Sequence, residues 1–152
     1  MNVIMGADHA GFRLKEAVKE VLASLEVKVT DVGTMSEEPC DYPDFAVEVA
    51  KRISRGEFNR GILVCGSGAG MVIVANRFPQ VRAVNCLTEE MARLARLHND
   101  ANVLVLAGRL LDIKRAEGIL RVWWSTPFAG DRHARRLEKI TMIEEKICQG
   151  RL

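Results

Sequence analysis

Ile62-Leu63-Val64-Cys65-Gly66-Ser67-Gly68-Ala69-Gly70-Met71 runs from an unbroken apolar segment through a thiol and alternating glycines into a helical pattern. An apolar run of this length with no polar alternation reads as a strand buried on both faces, as in a parallel sheet. A strand that passes straight into a helix is the start of a βα unit. The glycines between them let the backbone turn its N–H groups inward and approach a ligand closely.

The same pattern repeats in both directions along the chain. Apolar runs at residues 3–5, 27–32, 81–86 and 103–106 are further strands. Leu14, Ala17, Val18, Val21, Leu22 and Leu25 mark one helix face, with Arg13, Lys15, Glu16, Lys19 and Glu20 on the other. Phe45, Ala46, Val49, Ala50 and Ile53 mark a second helix, and residues 71–77 form a third. Thr88 caps a fourth, whose inward face carries Met91, Leu94, Ala95 and His98, and Asp112 caps a fifth. Beyond the breakers Pro127 and Gly130, Asp131 caps a last helix with an apolar stripe of Leu137, Ile140, Ile143 and Ile147. Strands and helices in alternation predict an α/β fold: a three-layer α/β/α, Rossmann-like domain with a five-stranded parallel sheet, one domain over residues 1–152.

Composition narrows the class. The chain has 152 residues, 48% hydrophobic and 28% charged, which excludes a disordered chain. Twenty-two basic residues against 20 acidic ones leave a net charge of +2, too little to attract nucleic acid by electrostatics. Residues 131–152 hold six basic and four acidic side chains and the rest of the chain holds equal numbers, so the surplus belongs to the last helix. No apolar stretch reaches membrane-spanning length, and Asp8 and His9 come too early for a signal peptide, so a cytoplasmic location is expected. Cys40, Cys65, Cys86 and Cys148 show no zinc spacing and read as reduced thiols.

Four clusters could carry chemistry. A P-loop reading of 66–70 fails because Met71-Val72 stand where Lys-Ser/Thr is needed. A dinucleotide fingerprint is weak, since the glycines follow the third strand. Two readings stay open: a loop that stabilises an oxyanion beside a reactive Cys65, and a tight turn after a core cysteine. On the first, the positive potential of the loop lowers the Cys65 pKa from the free value of about 8.5. Asp8-His9 follows the first strand, where an Asp capping the first helix is the commoner role. His98-Asn99-Asp100 follows the fourth helix, where a structural histidine is the default. Arg132 and Arg136 share one helix face, and a helix start is an unfavourable place for paired cations unless an anion meets them.

Taken in order, Asp8 to Phe12 (DHAGF), 41–44 (DYPD), 65–70 (CGSGAG), Ala75-Asn76, Arg82-Ala83, 98–100 (HND), Gly108-Arg109 and 131–133 (DRH) resemble the B-type ribose-5-phosphate isomerase family over essentially the whole chain. The resemblance implies a cofactor-free, metal-free aldose–ketose isomerase that works through an enediolate. By matching position, Cys65 is the base that moves a proton between two sugar carbons, and His98 opens the ring with Asp8. Gly66, Ser67, Gly68, Ala69 and Gly70 hold the enediolate oxygen, and Asn99 contacts hydroxyls. His9, Arg109, Arg132 and Arg136 match phosphate-binding positions. The resemblance also implies a homodimer or dimer of dimers with shared sites, a phosphosugar substrate, and no nucleic-acid or membrane partner. Ribose 5-phosphate is the expected substrate; a six-carbon phosphosugar (galactose 6-phosphate or allose 6-phosphate) and a non-catalytic phosphate- or nucleotide-binding module are the alternatives. Three features depart from the family pattern: the bulky Met71-Val72-Ile73-Val74, Asp131 beside Arg132, and Asn85 in an otherwise apolar strand.

Overall fold

The computed structural model describes residues 1–151. In chain order the elements are β1 (Asn2–Ala7), α1 (Phe12–Ser24), β2 (Lys28–Asp31), α2 (Tyr42–Ser54), β3 (Gly61–Cys65), α3 (Ala69–Ala75), β4 (Ala83–Asn85), α4 (Glu89–Asn99), β5 (Val103–Ala107), α5 (Ile113–Ser125) and α6 (Asp131–Cys148). All strand pairs are parallel, in the order β2-β1-β3-β5-β4. The apolar run that ends in Cys65 is the central strand, and every residue of it is buried. Each large side chain it buries contributes about 1.5–3 kcal/mol, which is why an unalternating segment takes the middle of the sheet.

Two apolar layers flank the sheet. Leu14, Val18 and Leu22 of α1, Ala92 and Ala95 of α4, and Ile119, Leu120 and Trp123 of α5 cover one face. Ala46, Val49, Ala50 and Ile53 of α2 with Met71 and Ala75 of α3 cover the other. The result is the expected three-layer α/β/α arrangement. Met91 and Arg115 donate their backbone N–H groups to Thr88 Oγ1 at 3.1 Å and Asp112 Oδ1 at 2.8 Å, so both predicted caps form. Among the described residues no helix is long and apolar enough to cross a membrane.

Four local expectations change. Lys15 is not on a solvated face: its side chain is fully buried, and Nζ donates to Asp31 Oδ2 at 2.6 Å and to the Thr34 carbonyl at 2.8 Å. Desolvation raises the Asp31 pKa, but hydrogen bonds from Lys15, Gly33 and Lys19 outweigh it and hold the carboxyl below the usual range. In α4 the buried face carries Ala92, Ala95 and Arg96, while Met91 is exposed. The last helix is capped by Gly130, and Asp131, at φ 45°, is its first residue and makes no capping hydrogen bond. Finally, only three residues of the 81–86 run pair as β4, at the edge of the sheet.

In α6 only His133 is buried. Among the described residues the predicted stripe is largely uncovered: Leu137 is half-buried, but Ile140 is 42% exposed, Ile143 48% and Ile147 60%.

Candidate active site

Parallel pairing puts the ends of β1, β3 and β5 side by side, with Val64 opposite Ala7 and Cys65 opposite Ala107. The three following loops are laced together. The Asp8 N–H donates to the Val64 carbonyl at 3.2 Å, Gly108 N–H to the Cys65 carbonyl at 2.7 Å, and Arg109 N–H to the Gly66 carbonyl at 3.0 Å. Asp8 is buried, and its Oδ1 accepts from the Gly11 N–H at 2.9 Å, so it holds the turn before α1 as well as facing the site. Arg109 lies across Gly66, where a Cβ would sit 3.3 Å from its Cδ.

Cys65 is 4% exposed, and the Gly68 N–H donates to its Sγ at 3.3 Å. Burial raises the thiol pKa above the ordinary range; hydrogen bonds from the Gly68, Met71 and Ser67 N–H groups pull it down, and the Asp8 charge pushes it up. The balance is upward, opposite to the direction expected from the loop alone, because desolvation of a thiolate exceeds what three amides return. His9 Nδ1 lies 3.2 Å from both backbone N and O of Cys40, which leaves Nε2 for a ligand. Tyr42, at the start of α2, covers Gly70 so closely that a Cβ there would be 2.5 Å from its ring.

The second group of candidate residues is elsewhere. α4 begins after the carboxyl end of β4 and returns to the amino end of β5, so His98 and Asn99 lie at the amino ends of the strands. Arg82, just before β4, confirms the level by donating Nε to the Asn99 carbonyl at 3.0 Å. His98 stacks on His133 of α6 with centroids 4.3 Å apart and planes 10° from parallel. Arg132 Nε approaches His133 Nε2 at 3.5 Å, and Arg132 lines one pocket with His98. Burial, then the charges of His98, Arg132 and Arg136, hold the His133 pKa below its usual value. Asp100 and Asn102, the polar neighbours of His98, are spent on structure. Asp100 accepts from Arg82 at 2.9 Å and Arg96 at 2.8 Å, and Asn102 Oδ1 accepts from the Arg82 N–H at 2.8 Å.

The expected residues thus form two groups. Asp8, His9, Cys65, the glycine loop and Arg109 gather at the carboxyl ends; His98, Asn99, Arg132 and Arg136 gather with α6 at the other. His133 and Tyr42 were singled out by spacing in neither group, although both lie inside the quoted motifs. Among the described residues no three His, Cys, Asp or Glu side chains are gathered as a metal ion would require.

A family model described as Ribose/Galactose Isomerase matches residues 3–140. The chain belongs to that family. Ribose-5-phosphate isomerase B of Escherichia coli is 42% identical over 144 residues, covering 95% of this chain and 97% of the relative. The crystal structure of a ribose 5-phosphate isomerase from Thermotoga maritima is 50% identical, with a TM-score of 0.89 over 93% of this chain and 97% of that one. The ribose-5-phosphate isomerase B of Mycoplasma genitalium, solved with bound ribulose-5-phosphate, is 35% identical with a TM-score of 0.91, covering 95% and 97%. Family membership extends from one end of the sheet to the other, so both groups of residues belong to matched sequence.

Proposed function

We propose that the chain, acting as one domain, is a ribose-5-phosphate isomerase of the B type whose active site is completed by a second copy. The observation that carries this reading is the placement of Cys65 and its glycine loop at one end of the sheet, with His98, Arg132 and Arg136 at the other. The relatives named ribose-5-phosphate isomerase B, one of them holding ribulose-5-phosphate, support the substrate.

A proton beside a sugar carbonyl is weakly acidic, so its removal needs a positioned base and a sink for the developing oxyanion. Cys65 as thiolate takes the proton from C2 of the open-chain aldose and returns it to C1, while the hydroxyl proton passes from O2 to O1. The N–H groups of Gly66, Ser67, Gly68, Ala69 and Gly70 hold the charge on oxygen between the two transfers. His98 of the second copy, opposite Asp8, moves the proton that opens the furanose ring, and Asn99 beside it holds hydroxyl groups. His9 and Arg109 meet the phosphate from one subunit, and Arg132 and Arg136 from the other.

The second copy also accounts for α6. An 18-residue helix with one buried side chain and an apolar stripe needs a partner surface, and a self-complementary pairing supplies it. The test is turnover of ribose 5-phosphate beside galactose 6-phosphate and allose 6-phosphate. Turnover of the pentose that is lost in Cys65→Ala supports the reading, and a chain with no pentose activity refutes it.

A further inference from the structure

Asn85 is an unexpected residue for its position. It ends β4, pairs with Val105, and occupies a place where a strand favours an apolar β-branched side chain. Its Nδ2 donates to the Ser67 carbonyl at 2.9 Å, while its Oδ1 is buried without a hydrogen-bond partner among the described residues. The amide plane lies flat on Gly68: a Cβ there would meet Oδ1, Cγ and Nδ2 at 2.5, 2.6 and 2.6 Å. Gly68 has φ +82°, so both its conformation and this contact demand glycine.

The Ser67 carbonyl and the Gly68 N–H are the two ends of one trans peptide and point in opposite directions. Asn85 holds the carbonyl end, and the N–H end donates to Cys65 Sγ at 3.3 Å. A peptide pinned at one end cannot flip at the other. We infer that Asn85 is a positioning residue, which fixes the Ser67–Gly68 peptide so that its N–H stabilises the Cys65 thiolate. The inference rests on Cys65 as the base proposed above.

Energetics points the same way. An orphaned buried carbonyl oxygen costs stability, and the exposed Ser67 can give its carbonyl to water if Asn85 is replaced. A valine would fill the strand with less penalty, so the fold gains nothing from the amide. The Asp8 carboxylate after β1 acts on Cys65, while the Arg109 guanidinium after β5 lies against Gly66 and the Tyr42 phenol of α2 against Gly70. Neither α3 nor β4 brings a charged side chain. With those groups unchanged, only the peptide's orientation differs between Asn85 and a valine in its place, whereas an aspartate also adds a negative charge beside Gly68.

The test is the pH dependence of Cys65 alkylation by iodoacetamide in the intact protein, located by peptide mass, in wild type, Asn85→Val and Asn85→Asp. Both variants remove the N–H donor. The expected result is a midpoint raised by about one pH unit in Asn85→Val and further in Asn85→Asp, whose carboxylate adds repulsion, matched by the acidic limb of kcat, with KM of the valine variant within about twofold. The thermal midpoint of Asn85→Val is expected to stay level or rise. An unmoved alkylation midpoint in Asn85→Val overturns the inference. So does a valine variant that fails to fold, because Asn85 would then be structural. Should Cys65→Ala retain turnover, the base assignment fails, while the alkylation midpoint still reports on Asn85.

Discussion

Cys65 and His98 stand at opposite ends of the same parallel sheet. Cys65 closes the five-residue β3, and His98 lies near the close of α4, which runs back along the sheet to the amino end of β5. A strand or helix of these lengths spans about 16 Å. One substrate of sugar size cannot receive a base from one and a ring-opening proton from the other within a single chain. Two copies arranged about a twofold axis can bring the carboxyl end of one sheet to the α4–α6 corner of the next.

The base gives a pH signature. Burial holds the Cys65 thiol above the ordinary range, and the proposed proton transfer needs the thiolate. Activity is therefore expected to fall as pH drops from the alkaline side through neutrality, because protonation of the base removes it. Cys65→Ser, with a far weaker acid at the same position, is expected to lose about 10³-fold or more in kcat. A pH–rate profile that is flat from pH 6 to 9 would contradict the assignment.

Arg132 and Arg136 sit on one exposed face at the start of α6, where the proposed function has them meet the substrate phosphate. Charge-assisted contacts to a phosphate act on binding. Arg132→Ala and Arg136→Ala are each expected to raise KM about 10- to 100-fold, with kcat changed far less. Steady-state kinetics with the wild-type KM retained would make the pair a solvated face.

His98 is held by its stack on His133. His98→Ala is expected to slow the cyclic substrate more than the open-chain sugar, and His133→Ala to do the same more weakly by freeing the His98 ring. Comparing rates on freshly opened and equilibrated substrate checks this. Equal losses on both forms would exclude ring opening.

Away from the site, Asp31 is the nearer and more buried of two carboxylates that pair the buried Lys15, the other being Glu16. Asp31→Asn is expected to cost about 3 kcal/mol, since it leaves the buried ammonium with only the half-exposed Glu16 carboxylate, at 3.1 Å, as counter-charge. The Asp31 pKa lies below its unfolded value of about 3.9, so its contribution is full above that pH. It is lost as pH falls through the depressed value. Urea denaturation at fixed protein concentration, repeated from pH 7 down to 3, reads both effects.

The sheet was legible because β1, β3 and β5 are apolar without interruption, and two helix starts because Thr88 and Asp112 are side chains that cap. Other readings failed where a distant partner decides. Lys15 lies among Arg13, Glu16 and Lys19 in the sequence, and only the pairing of β1 with β2 brings Asp31 beneath it. Met91, expected inward, is exposed and Ala92 beside it is buried, because alanine fits closely at a position that periodicity alone cannot fix. The Cys65 shift is opposite in sign to the one the loop alone implies, since the glycine loop is visible in the sequence and burial is not. The separation of His98 from Cys65 carried a signal of its own: in β-α alternation the last turn of a helix always returns to the amino ends of the strands.

The shared site is tested most directly by mixing two inactive variants. Cys65→Ala and His98→Ala are purified separately, combined in equal amounts, dissociated and allowed to reassociate. In a mixed dimer, one site receives both substitutions and the other receives none. Random pairing is therefore expected to restore ribose 5-phosphate turnover to about a quarter of the wild-type value. A mixture that stays at the level of its inactive parents, with mixed dimers present, would contradict the shared site.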